Sequence, residues 1–425
     1  VLRGVRHGLK DMLVGQAMFE DLGLKYLGPV DGHDVTAMET ALRRAAAYGH
    51  PVIVHAITRK GYGYSPAEND EADCLHTSAA FDPETGKAIS KQDGGMSWTS
   101  VFSDELVALA DRSEGIVGIT AAMAGPTGIE KLMQAHPDRA FDVGIAEQHA
   151  VTSAAGLAMG GLHPVVVLYS TFLNRAYDQM LLDVALHRLP VTFVLTRAGI
   201  TGPDGPSHHG MWDLAIAATV PGMRVAAPRD AVRLREQLRA AVQISDGPSL
   251  VRYPSGSAPE NIPAVETVGP VDVLARGQQP DVLLVTVGTC SELGVQVAAR
   301  AAEQGIGVTV VDPGWVLPVP AELTELGQEH RLVVTVEDGL RSGGVGTAIA
   351  QLLADAHVHT PINVLGVPKE FIPHGSRAQI LTDIGLTPQH VARCITEWAL
   401  QSESVPITNP AGPSQAAELN VRSTS

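Results

Sequence analysis

Apolar and polar positions change their spacing several times along the chain, and each change predicts a new element. Residues Lys25 to Val30 read as a strand, Val35 to Tyr48 carries apolar positions at helical spacing, and the apolar run Pro51 to Thr58 reads as a second strand. Gly32-His33-Asp34 occupies the first junction, where Asp34 is placed to cap the helix. Two strands cannot bury a doubly covered parallel sheet. Residues 1–95 are therefore expected to close a domain that begins upstream, with the polar, Gly-rich stretch Lys87 to Gly95 as a linker.

From Trp98 the spacing alternates. Val101 to Arg112 predicts a helix, Gly115 to Ile119 a strand, and a second helix opens near Ile145; strand Val165 to Tyr169, helix Arg175 to Leu186 and strand Val191 to Leu195 follow. This is the pattern of an α/β region with a mainly parallel sheet, assigned to 96–265. Strand Asp281 to Val287, helix Ser291 to Gln304, strands Val308 to Val311 and Leu332 to Val336, and helix Gly344 to Ala354 predict a further α/β domain over 266–400 with its own core. Beyond Gln401 the residues turn to Ser, Pro, Asn and Gln, and 401–425 is expected to be a disordered tail.

Composition narrows the chemistry. A net charge of −16 would repel a nucleic-acid backbone or an anionic membrane, so an anionic substrate must be met by locally placed Arg. Cys74, Cys290 and Cys394 are too dispersed for a zinc pair and odd in number for a disulfide framework, and read as reduced thiols. No apolar run reaches the ~18 residues that span a bilayer, and the first residues lack the apolar core of a signal peptide. A cytoplasmic location is expected. The chain opens on Val1, so its natural start is expected upstream.

Metalloprotease, Walker A, zinc-finger and EF-hand patterns are missing, and no metal ligand is assigned within this chain. Gly343-Gly344-Val345-Gly346 lacks the third glycine and ribose-binding acid of a dinucleotide fingerprint, and reads as a helix-start turn. Ser207 and His208 are neighbours in a loop and are not expected to face each other as a nucleophile and base must. The most informative stretch is Asp142-Val143-Gly144-Ile145-Ala146-Glu147-Gln148-His149, opening a helix on which Ala146, Ala150, Ser153, Ala154 and Leu157 form a face of small residues suited to a subunit or domain interface.

That stretch resembles the motif of transketolase-like thiamine-diphosphate enzymes. Tyr169-Ser170-Thr171-Phe172-Leu173-Asn174-Arg175-Ala176-Tyr177-Asp178-Gln179 resembles the pyrimidine-stacking segment of the deoxyxylulose-phosphate synthases among them. Further likeness lies in Arg197 to His208, in Val251-Arg252-Tyr253-Pro254, in Gly28 to Asp34 and in Lys60 to Glu68, in order along the chain to about Trp398. The resemblance implies a transketolase-like α/β fold: a parallel-sheet pyrimidine-binding domain and a C-terminal α/β domain, preceded by the end of a truncated diphosphate-binding domain. It implies condensation of pyruvate with D-glyceraldehyde 3-phosphate with loss of CO2, thiamine diphosphate and Mg2+ as cofactors, and a homodimer.

Roles follow from the same resemblance. Glu147 bonds N1′ of the cofactor's aminopyrimidine, Phe172 and Tyr64 pack against that ring, and Lys60 joins the cofactor-binding set. His208, His76 and Asp204 are the further catalytic candidates; a His pKa lies near working pH. Tyr169, Arg175 and Arg197 bind substrate, Arg197 taking the acceptor's phosphate, to which a forked guanidinium is matched.

The family's Gly-Asp-Gly motif for magnesium and diphosphate is absent, and is expected upstream of residue 1. Ser255 stands where the family usually has a basic residue, and Thr196 where it usually has Asp. Arg252 is a possible substitute for the base missing at Ser255. Two alternatives stay open: a 2-oxoacid dehydrogenase E1 β-type subunit, which also lacks the diphosphate motif, and a non-catalytic truncated paralogue.

Overall fold

A computed structural model describes residues 19, 22–70, 74–76, 80–89, 95–259 and 261–402. They belong to two compact units that divide after Asp93. In the first, β1 (Lys25–Asp31) and β2 (Val52–Ile57) pair in parallel across the helix Val35–Tyr48. Asp34 caps that helix as expected: its Oδ1 accepts from the amides of Thr36 and Ala37 at 2.9 and 3.0 Å. Residues 90–94 of the expected linker, and the expected tail from residue 403 onward, lie outside the described residues.

The second unit holds two sheets. The first contains β3 (Ile116–Thr120), β4 (Ala140–Asp142), β5 (His163–Tyr169), β6 (Thr192–Thr196), β7 (Arg224–Ala226) and β8 (Ser249–Arg252), all parallel, in the order β7-β8-β6-β5-β3-β4. Strands β3, β6 and β8 are buried along their whole length. Helices cover both faces of the sheet, which explains why these strands read as apolar runs and not as alternations.

The second sheet is mixed. It is built from β9 (Glu266–Val268), β10 (Val271–Ala275), β11 (Val282–Thr286), β12 (Val308–Asp312), β14 (Leu332–Leu340) and β15 (Ile362–Val367), in the order β15-β14-β11-β12-β10-β9. Strand β13 (Trp315–Leu317) crosses to the first sheet and pairs antiparallel with β7.

One predicted element differs. The expected helix Arg175 to Leu186 is a 3₁₀ segment at Ser170–Ala176, a single α turn at Tyr177–Gln179 and a π segment at Met180–Ala185. Apolar periodicity marks the helical path but not its pitch. The tight first part begins directly at the end of β5, where the chain must turn within one residue of the sheet.

Buried guanidinium groups tie the two sheets together. Arg252, the last residue of β8, bonds Asp213 at 2.7 Å and Asp338 of β14 at 2.6 Å, and all three are almost fully buried. Arg229 bonds Asp272 of β10 at 2.6 Å and Asp312 of β12 at 2.9 Å. Burial pushes the Asp312 carboxyl up to about 6, against the opposing pull of Arg229. Next to Asp338, the fully buried Glu337 accepts from the amides of Val345 and Gly346 at 3.2 and 2.8 Å. The glycine cluster at 343–346 is thus a helix start, as its sequence suggests, and Glu337 fills the anion site that its free amides create.

Burial raises Glu337 to about 7, with the two amide bonds acting in the opposite sense. Below the ordinary carboxylate value both folded and unfolded chains hold this proton. Between about 4.5 and about 7 only the folded chain does, so unfolding releases it and stability falls as pH rises through that window. Wild type is expected to lose stability relative to Glu337→Gln across the window, at no more than about 1.4 kcal/mol per pH unit. Urea unfolding of both proteins at a series of pH values measures the difference, and a pH-independent difference contradicts the assignment.

Candidate functional site

The site is built where β4 leads into the helix Glu147–Met159. Asp142 Oδ1 accepts from the amides of Ala122 at 2.7 Å and Gly144 at 3.0 Å, and this tightens the turn that Gly144 completes at φ +71°. Ala146 offers the helix no side-chain cap, and Glu147 is its first residue. A carboxylate there is favoured by the helix dipole, yet Glu147 is only 3% exposed. Its Oε2 has no hydrogen-bond partner among the described residues, although Arg175 Nε lies 3.3 Å away.

The expected small-residue interface face needs correction. Ala150 and Ala154 point into the core with Val151 and Ala155, because the helix must lie close over the sheet behind it. The other side of the helix, His149, Ser153, Gly156 and Leu157, lines a cavity of about 620 Å³ with Ile119, Phe141 and Val143.

The 3₁₀ segment after β5 supplies the next group. Residues three apart in a 3₁₀ turn eclipse one another, so Tyr169, Phe172 and Arg175 share one edge. The rings of Tyr169 and Phe172 stack at 5.8 Å, and Arg175 reaches Glu147. His208 meets Phe172 edge-on at 5.5 Å. Thr171 donates to the Ser207 carbonyl at 3.1 Å and Ser170 to that of Gly210 at 3.0 Å, which holds the 197–210 loop against this turn.

Arg197 follows β6 with φ +56°, a left-handed conformation costly for any residue with a Cβ. Its guanidinium lies 4.4 Å over the Tyr169 ring and ion-pairs with Asp204. Burial raises the Tyr169 phenol above its usual range, with Arg197 opposing the shift. Glu147, Phe172, Tyr169, Arg175, Arg197, Asp204 and His208 therefore form one connected cluster. The expectation about Ser207 and His208 is overturned: Ser207 Oγ lies 2.8 Å from His208 Nδ1. The turn opened by Gly205 makes neighbours meet, since the amides of His208 and His209 both bond the Gly205 carbonyl.

Three remaining candidates lie in the first unit. Lys60 is exposed, His76 is exposed in a turn, and the half-buried Tyr64 donates to the Pro83 carbonyl at 2.7 Å while its ring lies 6.2 Å from Phe81. Among the described residues no group of three His, Cys, Asp or Glu could hold a metal ion, and no helix is long and apolar enough to cross a membrane. Arg252, a substitute for a base at Ser255 on the sequence, is buried and bonded through Nε and Nη1 to Asp213 and Asp338, whereas Ser255 is exposed. The role of Ser170, Thr171 and Asp142 in holding the site was not separately predicted, although the Asp-Val-Gly spacing is a turn signal.

Residues 94–260 match the description "Transketolase, pyrimidine binding domain", 271–391 "Transketolase, C-terminal domain", and 1–58 "1-deoxy-D-xylulose-5-phosphate synthase". The 1-deoxy-D-xylulose-5-phosphate synthase of Mycobacteroides abscessus is 60% identical over 94% of this chain, and that of Frankia casuarinae 55% identical over 99%. This chain spans 62% and 65% of the length of those two relatives. Among solved structures, a split-gene transketolase described as an inactive β4 tetramer is 28% identical, with a TM-score of 0.64, over 72% of this chain and 99% of its own. A transketolase from Pichia stipitis, 18% identical with a TM-score of 0.60 over 73% of this chain and 47% of its own, shares the fold. With both transketolase domains present in order, and with such identity along nearly its whole length, the chain belongs to the 1-deoxy-D-xylulose-5-phosphate synthase family.

Proposed function

We propose that the protein containing this chain joins pyruvate to D-glyceraldehyde 3-phosphate with loss of CO2, giving 1-deoxy-D-xylulose 5-phosphate with thiamine diphosphate as cofactor. The observation that carries the reading is the buried Glu147 carboxylate beside the Phe172 turn, whose Oε2 faces Arg175 at 3.3 Å but accepts no hydrogen bond among the described residues. A buried acceptor without a hydrogen bond is costly, and a ligand N–H such as that of an aminopyrimidine N1′ would relieve it, so the residues present fit the group. Bound thiamine diphosphate supplies an electron sink for the carbon–carbon bond broken in the 2-oxoacid.

The chain's own residues divide the remaining work. Glu147 holds a proton at N1′, and Phe172 packs on the ring, worth about 0.5–1.5 kcal/mol beyond its area. His208, oriented at Nδ1 by Ser207, presents its other ring nitrogen as a proton donor or acceptor. Arg175 takes the pyruvate carboxylate. Arg197 takes the acceptor's phosphate, exchanging its contact with Asp204 for a charge-assisted one. Lys60, Tyr64 and His76 complete the cofactor and proton-transfer set. Magnesium and the diphosphate belong to the part of the relatives' length that this chain does not span. The exposed Phe141, Ile145, Met159, Leu182 and Leu186, on the helix beginning at Glu147 and beside it, support a homodimer that covers them. The likeness of residues 1–58 to the synthase family disfavours an E1 β-type subunit.

In a family-length enzyme, Glu147→Ala is expected to lower product formation from pyruvate and glyceraldehyde 3-phosphate by at least about 10²-fold. Retained turnover, in a variant that still binds cofactor by calorimetry, removes Glu147 from the mechanism.

Ser255 leaves the acceptor phosphate with one base fewer, because Arg252 is held in the interior. Ser255→Arg is expected to lower KM for glyceraldehyde 3-phosphate by about 10-fold, with KM for pyruvate nearly unchanged. Steady-state kinetics with each substrate varied decides this, and two unchanged constants place the phosphate elsewhere.

A further inference from the structure

The loop 197–210 carries Arg197, Asp204 and His208, but little of it is held by its own sheet. Its inner limb rests on the C-terminal region at three points. At Gly199, with φ +71°, an added Cβ would lie 2.3 Å from Asp338 Oδ2, so the carboxylate of β14 sits directly against the loop backbone. At Ile200 the carbonyl accepts from Arg377 Nε at 3.1 Å. At Gly202 the carbonyl accepts from the Gly375 amide at 3.3 Å, and an added Cβ would lie 2.9 Å from the Arg377 nitrogen. His209, fully buried, reinforces the third point: Nδ1 accepts from the Thr201 amide at 3.2 Å, and Nε2 lies 3.4 Å from the Pro373 carbonyl. That pattern requires the neutral ring with its proton on Nε2.

Asp338 is itself fixed. Arg252 grips its Oδ1 at 2.6 Å, and Arg252 comes from the strand beside β6, whose register sets Leu195 opposite Arg252. The same β-strand pair thus delivers Arg197 and the arginine that locates Asp338. By contrast, Pro203, Asp204, Pro206 and Ser207 on the outer limb are exposed. The loop is clamped along one side and open along the other.

We infer that Asp338 and Arg377 are positioning residues: through Gly199, Ile200 and Gly202 they set the height of the loop, and so place Arg197 and Asp204 for the phosphorylated acceptor. This rests on the proposed reading that the loop captures the acceptor. Asp338 and Arg377 touch neither substrate, and the C-terminal region takes part in acceptor recognition without supplying a reacting group.

The test uses a family-length enzyme and steady-state kinetics with each substrate varied. Arg377→Ala is expected to raise KM for glyceraldehyde 3-phosphate by about 10-fold while KM for pyruvate stays within about 2-fold. Arg377→Lys, which keeps a donor, is expected to recover most of the loss. Asp338→Asn is expected to give the same split; should it fail to fold, the two Arg377 variants alone decide. Arg197→Ala in the same assay separates this inference from the reading beneath it. If Arg197→Ala raises the acceptor KM and Arg377→Ala leaves it unchanged or moves both constants together, the positioning role is overturned and the acceptor site stands. If Arg197→Ala also leaves the acceptor KM unchanged, the acceptor site is wrong and the positioning role falls with it.

Discussion

Two arginines buried between the sheets are the constraint on which the second unit depends. A guanidinium taken out of water is tolerated only when carboxylates and hydrogen bonds replace the solvent on several sides. Arg252 and Arg229 meet that condition only with the sheets together, since Asp213 comes from the first region and Asp338, Asp272 and Asp312 from the second. Separation would leave charges stranded on both surfaces. Strand β13, which leaves the second region to pair with β7, adds a backbone connection to the same junction.

The site inherits its geometry from that junction. Arg252 ends β8, the amide of Ala198 bonds the carbonyl of the following Tyr253, and Leu340 at the end of β14 bonds Met211 just past the loop. The 197–210 loop is therefore flanked at entry and exit by strands that the ion pairs hold in register. Its contacts with Thr171 and Ser170 then bring His208 to Phe172, and the 3₁₀ turn brings Arg175 to Glu147.

Two buried glutamates show how environment separates structure from chemistry. Glu337 and Glu147 both lie at the N-terminus of a helix with almost no solvent contact. Glu337 approaches from a strand and bonds two of the helix's free amides, which spends its acceptor capacity within the protein. Glu147 belongs to the helix it begins, so its carboxylate does not bond those amides in the same way, and its Oε2, 3.3 Å from Arg175 Nε, accepts no hydrogen bond among the described residues. An acceptor left open in this manner is available to a ligand.

The sequence by itself determined the order and class of most elements. Buried parallel strands read as apolar runs, and Asp34 marked a helix start, because these signals are local. The likeness of short ordered segments also named Glu147, Phe172, Tyr169, Arg175, Arg197, Asp204 and His208, which the fold gathers into one cluster. Short elements such as β4, β7 and β13 were not legible, since three residues carry no measurable period. The pitch of the segment from Ser170 to Ala185, the inward turn of Ala150 and Ala154, and the meeting of Ser207 with His208 were decided by tertiary structure. So was the commitment of Arg252 to Asp213 and Asp338, 39 and 86 residues away in the chain. Charges that distant are paired only by packing, and no spacing along a sequence reports which buried cation will find which acid.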